Sequence, residues 1–164
     1  MVGSPLFWTP EYVALGEDVV IWPGFRIEGV DIDGLPPPRI VLGDGVTVQQ
    51  NLHLTAGGEL TVGAGTTILF DVLITDIDHC YEKVGTRVID QPMKVTATSI
   101  GRNCFVGSGA RILAGTILGE SCVVGANAVV SGEFPAGCVI AGIPGRIVKR
   151  YVPSSAVWVK AEVP

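Results

Sequence analysis

The sequence predicts an all-β fold, a parallel β-helix of stacked six-residue repeats, on three observations. An aliphatic residue recurs every six positions in four runs: Leu15, Ile21 and Ile27; Leu42, Val48 and Leu54; Val62, Ile68 and Ile74; and Ile100, Val106, Ile112, Leu118, Val124 and Val130. A step of six does not keep to one face of a 3.6-residue helix, so the period excludes a helical bundle. Four residues after the aliphatic position stands a small or slim one, as in Cys104, Ala110, Thr116, Cys122 and Ala128. Two inward positions of unequal size describe a short strand plus a turn, and three such units close a triangular coil of about eighteen residues. Finally, glycine fills 22 of 164 positions, nearly twice average usage, with no Gly-X-Y period of the collagen kind.

The elements follow in order along a single domain, 1–164. Stacked coils leave open ends, so residues 1–14 and the tail 151–164, within a C-terminal stretch 144–164, are the expected caps. Regular coils are expected at about 13–74 and 100–143. Two segments break the period: Asp31–Arg39, which carries Pro36-Pro37-Pro38, and Thr75–Thr98. Long loops inside a compact repeat are uncommon and tend to carry function. Cys104 and Cys122, eighteen positions apart, are expected to stack as buried apolar groups in successive coils. Most glycines are expected in turns.

Composition narrows the function classes. A formal net charge of -5 argues against nucleic acid or an anionic membrane as the general partner. The one local basic cluster is Arg146, Lys149 and Arg150, which taken alone reads as a solvated surface. The N-terminal residues lack a basic stretch followed by an apolar one, and no window has the run of about 18 apolar residues that spans a bilayer. A cytoplasmic location without membrane insertion is the expectation. Four cysteines at 80, 104, 122 and 138 show no CxxC pair, and with two histidines in the chain a structural zinc site has little support.

The unusual chemistry concentrates in the longer interruption. His79 stands there directly after the regular coil ends at Ile74, flanked by Asp76 and Asp78. A neighbouring carboxylate holds an imidazole in one tautomer and raises its basicity, which suits a general base. His53 lies in an earlier coil, and spacing alone does not place it in the same site.

These residues resemble the left-handed β-helix, hexapeptide-repeat acyltransferases, and within them the sugar O-acetyltransferases of surface polysaccharide synthesis. The resemblance covers about residues 40–150. It rests on Asp76-Ile-Asp-His79-Cys-Tyr81 with Gln91-Pro92, on Ile100-Gly-Arg-Asn-Cys-Phe-Val-Gly-Ser-Gly-Ala-Arg-Ile-Leu113, on Val124-Gly-Ala-Asn-Ala-Val-Val130, and on Ala141-Gly-Ile-Pro-Gly-Arg146. It implies a left-handed coil, a homotrimer, acetyl-coenzyme A as co-substrate in grooves between neighbouring subunits, no metal, and His79 as catalytic base.

The same resemblance assigns the remaining roles. Ser108 matches the oxyanion donor, and Ser108, Ala126 and Ser131 match the pantetheine path, with Phe105 beside it. Arg146 and Lys149 match the positions that hold the nucleotide phosphates. Gln49, Asn51, Asp76 and Tyr81 match or border the acceptor pocket for a small-molecule or lipid-linked sugar. The chain departs from its relatives at Phe105, where they often have Trp, at Ser131-Gly132, where they have Thr-Lys, and at Ile143-Pro-Gly145, where they have Asn-Pro-Ala.

Other readings use the same fold. One is N-acetylation of an amino-sugar nucleotide or O-acetylation of serine, though the helical N-terminal domain of serine acetyltransferases is missing. Another is a zinc carbonic anhydrase, which needs three histidines where this chain has two. The last is a non-catalytic assembly subunit.

Overall fold

The structure, a computed structural model, describes residues 1–161. The last three residues of the expected C-terminal cap lie outside the described residues. Three parallel sheets wrap one axis. The first face stacks Phe7–Trp8, Arg26–Gly29, His53–Ala56, Leu73–Thr75, Arg111–Ile112 and Val129–Val130. The second stacks Val13–Leu15, Arg39–Leu42, Glu59–Val62, Thr98–Ile100, Ile117–Leu118 and Glu133–Phe134. The third stacks Val20–Ile21, Thr47–Val48, Thr67–Ile68, Phe105–Val106, Val123–Val124 and Cys138–Ala141.

Strands this short form because each carries only one or two inward side chains between two corners, so the coil closes after three of them. The six-residue aliphatic positions are that inward set. All are buried except Leu15, which is 37% exposed. Leu15 lies on the first strand of its face and has a neighbour only on one side, at Leu42, so no further coil covers it. The smaller inward positions Cys104, Ala110, Thr116, Cys122 and Ala128 are buried at the corners. The four cysteines are free thiols, three of them buried.

Glycine serves the corners through close approach. At Gly101 a Cβ would stand 2.6 to 2.7 Å from the backbone of Gly119 and Glu120 in the next coil, and at Gly63 it would meet Arg102 N at 2.5 Å. Coils stack at the inter-strand spacing of about 4.8 Å, which leaves no room for a side chain there.

Register measures the interruptions. Arg111 pairs with Val129, the expected coil of eighteen residues, whereas Arg26 pairs with His53 and Leu73 with Arg111. Both excursions leave the same corner, between the first face and the second. One is the Pro-rich loop, and the other contains an antiparallel hairpin, Ile77–His79 against Met93–Val95. Between them that corner holds the pair Gly57-Gly58, which makes the coil from His53 to Leu73 twenty residues long.

The ends differ from simple caps. Residues 1–14 form a first coil of their own, with Val2 bridged to Ile21, Phe7–Trp8 paired to Arg26–Ile27, and Val13–Leu15 paired to Ile40–Leu42. At the other end Arg146–Val152 and Val157–Lys160 turn back antiparallel and extend the third face. No helix among the described residues is long and apolar enough to cross a membrane.

Candidate active site

The hairpin is an extended ribbon, so successive side chains alternate between its two sides. Register pairs Ile77 with Val95, Asp78 with Lys94, and His79 with Met93. Ile77, His79, Met93 and Val95 therefore share one side, which folds back over the first face, while Asp78 and Lys94 take the exposed other side. The result is a groove of about 280 Å³ lined by Val30, His53, Thr55, Leu73, Ile74, Thr75, Ile77, His79 and Met93.

That groove brings the two histidines together. His53 points outward from the first face, and its Nε2 lies 3.1 Å from Thr55 Oγ1. Burial, with the Arg26 guanidinium adjacent, pushes the His53 imidazole below its ordinary 6.5. Its neutral form is favoured, so it offers one acceptor and one donor nitrogen. An NMR titration of the imidazole C–H signals is expected to place His53 below free histidine, and a midpoint above 6.5 would contradict this environment. Spacing did not reveal His53 as a partner of His79, because the register across the Gly57-Gly58 corner is not written in the period.

Neither carboxylate flanking His79 touches it. Asp78 is on the opposite side of the ribbon. Asp76 is fully buried and turned inward, where Oδ1 accepts from Gly57 N at 2.8 Å and Oδ2 from Gly58 N at 3.0 Å. Burial raises its carboxyl above the usual range, and the two glycine N–H bonds act in the opposite direction. The expectation that Asp76 lines the acceptor pocket is corrected accordingly: its oxygens are committed to backbone and closed off from any ligand. Among the described residues, no carboxylate forms an ion pair with His79.

The other candidates take the following positions. Asn51 sits at a corner with φ 61°, and its Nδ2 donates to Asp71 Oδ1 at 2.9 Å in the next coil. Asn51 and His53 border a second groove with Asp71, Leu73 and Arg111. Gln49 is half-buried at the same corner, its N–H bonded to Ile68 O. Tyr81 is exposed at the outer part of the hairpin loop, its N–H donating to Glu82 Oε2. Gln91 is buried and ties that loop together, bonding Lys83 N, Lys83 O and Thr86 O.

Along the corner between the third and first faces, Ser108 and Ala126 stack in successive coils, Ser108 O accepting from Asn127 N at 2.9 Å. Phe105 projects from the strand leading into that corner and is 42% exposed. Ser131 lies elsewhere, at the corner beyond the first face. Arg146 and Lys149 are exposed on the C-terminal hairpin; Arg146 Nη1 donates to Gly145 O at 3.0 Å. One chain thus sets Ser108 and Ala126 on one edge of the first face and Ser131 with the His79 hairpin on the other. No group of three or more metal-ligating side chains is assembled among the described residues.

Comparison with known proteins agrees with this architecture. Residues 97–132 match the family described as bacterial transferase hexapeptide (six repeats). The chain is 34% identical over 140 residues to the putative lipopolysaccharide biosynthesis O-acetyl transferase WbbJ of Escherichia coli K12, covering 81% of this chain and 71% of that protein. It is 27% identical over 140 residues to the putative colanic acid biosynthesis acetyltransferase WcaF of Escherichia coli K12, covering 84% and 69%. Among solved structures, a galactoside acetyltransferase in complex with coenzyme A superposes with a TM-score of 0.69 at 22% identity, over 93% of this chain and 72% of the other.

Proposed function

Because the chain belongs to the hexapeptide-repeat acyltransferases, with their left-handed β-helix, we propose that it transfers an acetyl group from acetyl-coenzyme A to a sugar hydroxyl in surface polysaccharide synthesis. The observation that carries this reading is the groove under the hairpin that His79 and His53 both line. An acceptor hydroxyl ionises far above neutral pH, so a base must take its proton as its oxygen attacks the thioester carbonyl; the C–S bond then breaks and coenzyme A leaves as its thiol with that proton. His79 is that base, and His53 with Thr55 holds the acceptor. Gln49, Asn51 and Tyr81 border the acceptor side. WbbJ and WcaF, named for lipopolysaccharide and colanic acid synthesis, support a polysaccharide acceptor.

The donor runs along the corner where Ser108 and Ala126 stack, since small residues let a pantetheine arm approach the backbone. Ser108 serves the oxyanion, Phe105 flanks the arm, and Arg146 and Lys149 hold the phosphates at the C-terminal end. Ser131 and the His79 hairpin stand across the first face from Ser108, so the reading includes a homotrimer whose grooves combine edges of neighbouring copies. The reaction then runs in the cytoplasm, where an acyl-coenzyme A donor is available.

The test is acetyl-coenzyme A incubated with the protein and a panel of sugars, sugar nucleotides and serine, read by thiol release and by mass spectrometry of the product. An alkali-labile sugar ester is the expected product. An amide would move the assignment to an amino-sugar acceptor, and no turnover on any acceptor, with no binding of acetyl-coenzyme A, would overturn the reading. Arg146→Ala is expected to raise KM for acetyl-coenzyme A about tenfold with kcat unchanged; a loss confined to kcat would remove its phosphate role.

A further inference from the structure

Asp76 is a buried ionisable group that the proposed chemistry does not use, and its surroundings are unusually specific. Its two oxygens accept the N–H groups of Gly57 and Gly58, which are the two extra residues of the corner directly preceding the hairpin coil. Its own carbonyl accepts from Thr96 N at 2.8 Å, which closes the far end of the hairpin onto the near end. Over the glycine pair lie side chains from both excursions. A Cβ at Gly57 would meet Ile32 Cδ1 at 2.5 Å, Val95 Cγ2 at 2.9 Å and Ile77 Cδ1 at 3.3 Å. The glycines lack side chains, so these apolar groups close down and seal the carboxylate from water.

We infer that Asp76 is a positioning residue for His79, acting through the base of the hairpin without touching the imidazole. The two bonds fix Asp76 to the preceding coil, and His79 stands three residues further along a ribbon that is otherwise exposed. A charge-assisted pair of bonds holds more firmly than neutral ones, and a misplacement of about 1 Å at a reacting group costs on the order of a hundredfold in rate. Asparagine at this position keeps one acceptor and turns an N–H₂ donor toward the other glycine N–H, so the clamp loses one of its two bonds while the side-chain volume stays the same.

This rests on His79 being the base, and the experiment separates the two claims. Steady-state kinetics are measured for wild type, Asp76→Asn, His79→Ala and the double variant, with thermal unfolding of each. The expected result for Asp76→Asn is a fall in kcat of at least roughly tenfold, with KM for acetyl-coenzyme A within about twofold, and no further fall when it is added to His79→Ala. Should Asp76→Asn fail to fold, Gly58→Ala replaces it: the new Cβ would stand 2.9 Å from Val95 Cγ1 and 3.4 Å from Asp76 Oδ2, displacing the hairpin strand with the carboxylate intact. The same loss confined to kcat is expected. Wild-type kcat in the tested variant overturns the inference, as does a loss that is undiminished in the His79→Ala background. If His79→Ala itself retains wild-type kcat, it is the assignment of the base that fails.

Discussion

His79→Ala is expected to lower kcat at least about a hundredfold, the scale set by losing a general base, while thermal unfolding and oligomeric state stay as in the wild type. The side chain is exposed on the hairpin and contributes nothing to the packed interior. Its removal therefore leaves every coil in place. KM for acetyl-coenzyme A is expected to hold, because the proposed donor contacts are made by Phe105, Ser108, Ala126, Arg146 and Lys149 and none by His79. An alanine variant with near wild-type turnover would remove the base from the mechanism.

The second large effect is on stability. Ile112→Ala is expected to destabilise the fold by about 2–5 kcal/mol, the range for removing most of a buried aliphatic side chain and leaving a cavity. Ile112 is fully buried between Ile74 and Val130 in the column that continues to Leu54 and Ile27 on the first face. Its own strand has two residues and the strands on either side three and two, but each is tied into the stack through its neighbouring coils, so the surroundings collapse little into the space. Chemical unfolding followed by circular dichroism measures the loss; a change under about 1 kcal/mol would mean that the coils relax around the missing atoms.

What could be read beforehand follows from how a coil is built. Inward positions recur with the chain itself, so Val48, Leu54, Ile74 and Ile112 were legible as core, and the hairpin was legible as the place where that recurrence stops. Leu15 keeps the period yet stays exposed, because burial needs a coil on both sides and no spacing announces where the stack begins. His53 went unplaced because its approach to His79 depends on how a hairpin folds back across a face. That Asp76 points inward is hidden for a related reason: sequence gives a carboxylate next to a histidine but not the side of the ribbon on which it points. Asn51 has a left-handed backbone and its Nδ2 bonded to Asp71 in the next coil, a pairing across coils that polar character alone does not announce.

The corner between the first and second faces has one more consequence. It releases a proline-rich excursion in one coil, two glycines in the next and a hairpin in the one after, yet the strands that follow each of them rejoin their sheets in step. Insertions at this corner therefore leave the pitch and the phase of the stack unchanged. What grows from that corner can be lengthened, shortened or exchanged without re-solving the folding problem, because each sheet receives its next strand in the same register whatever the corner carries.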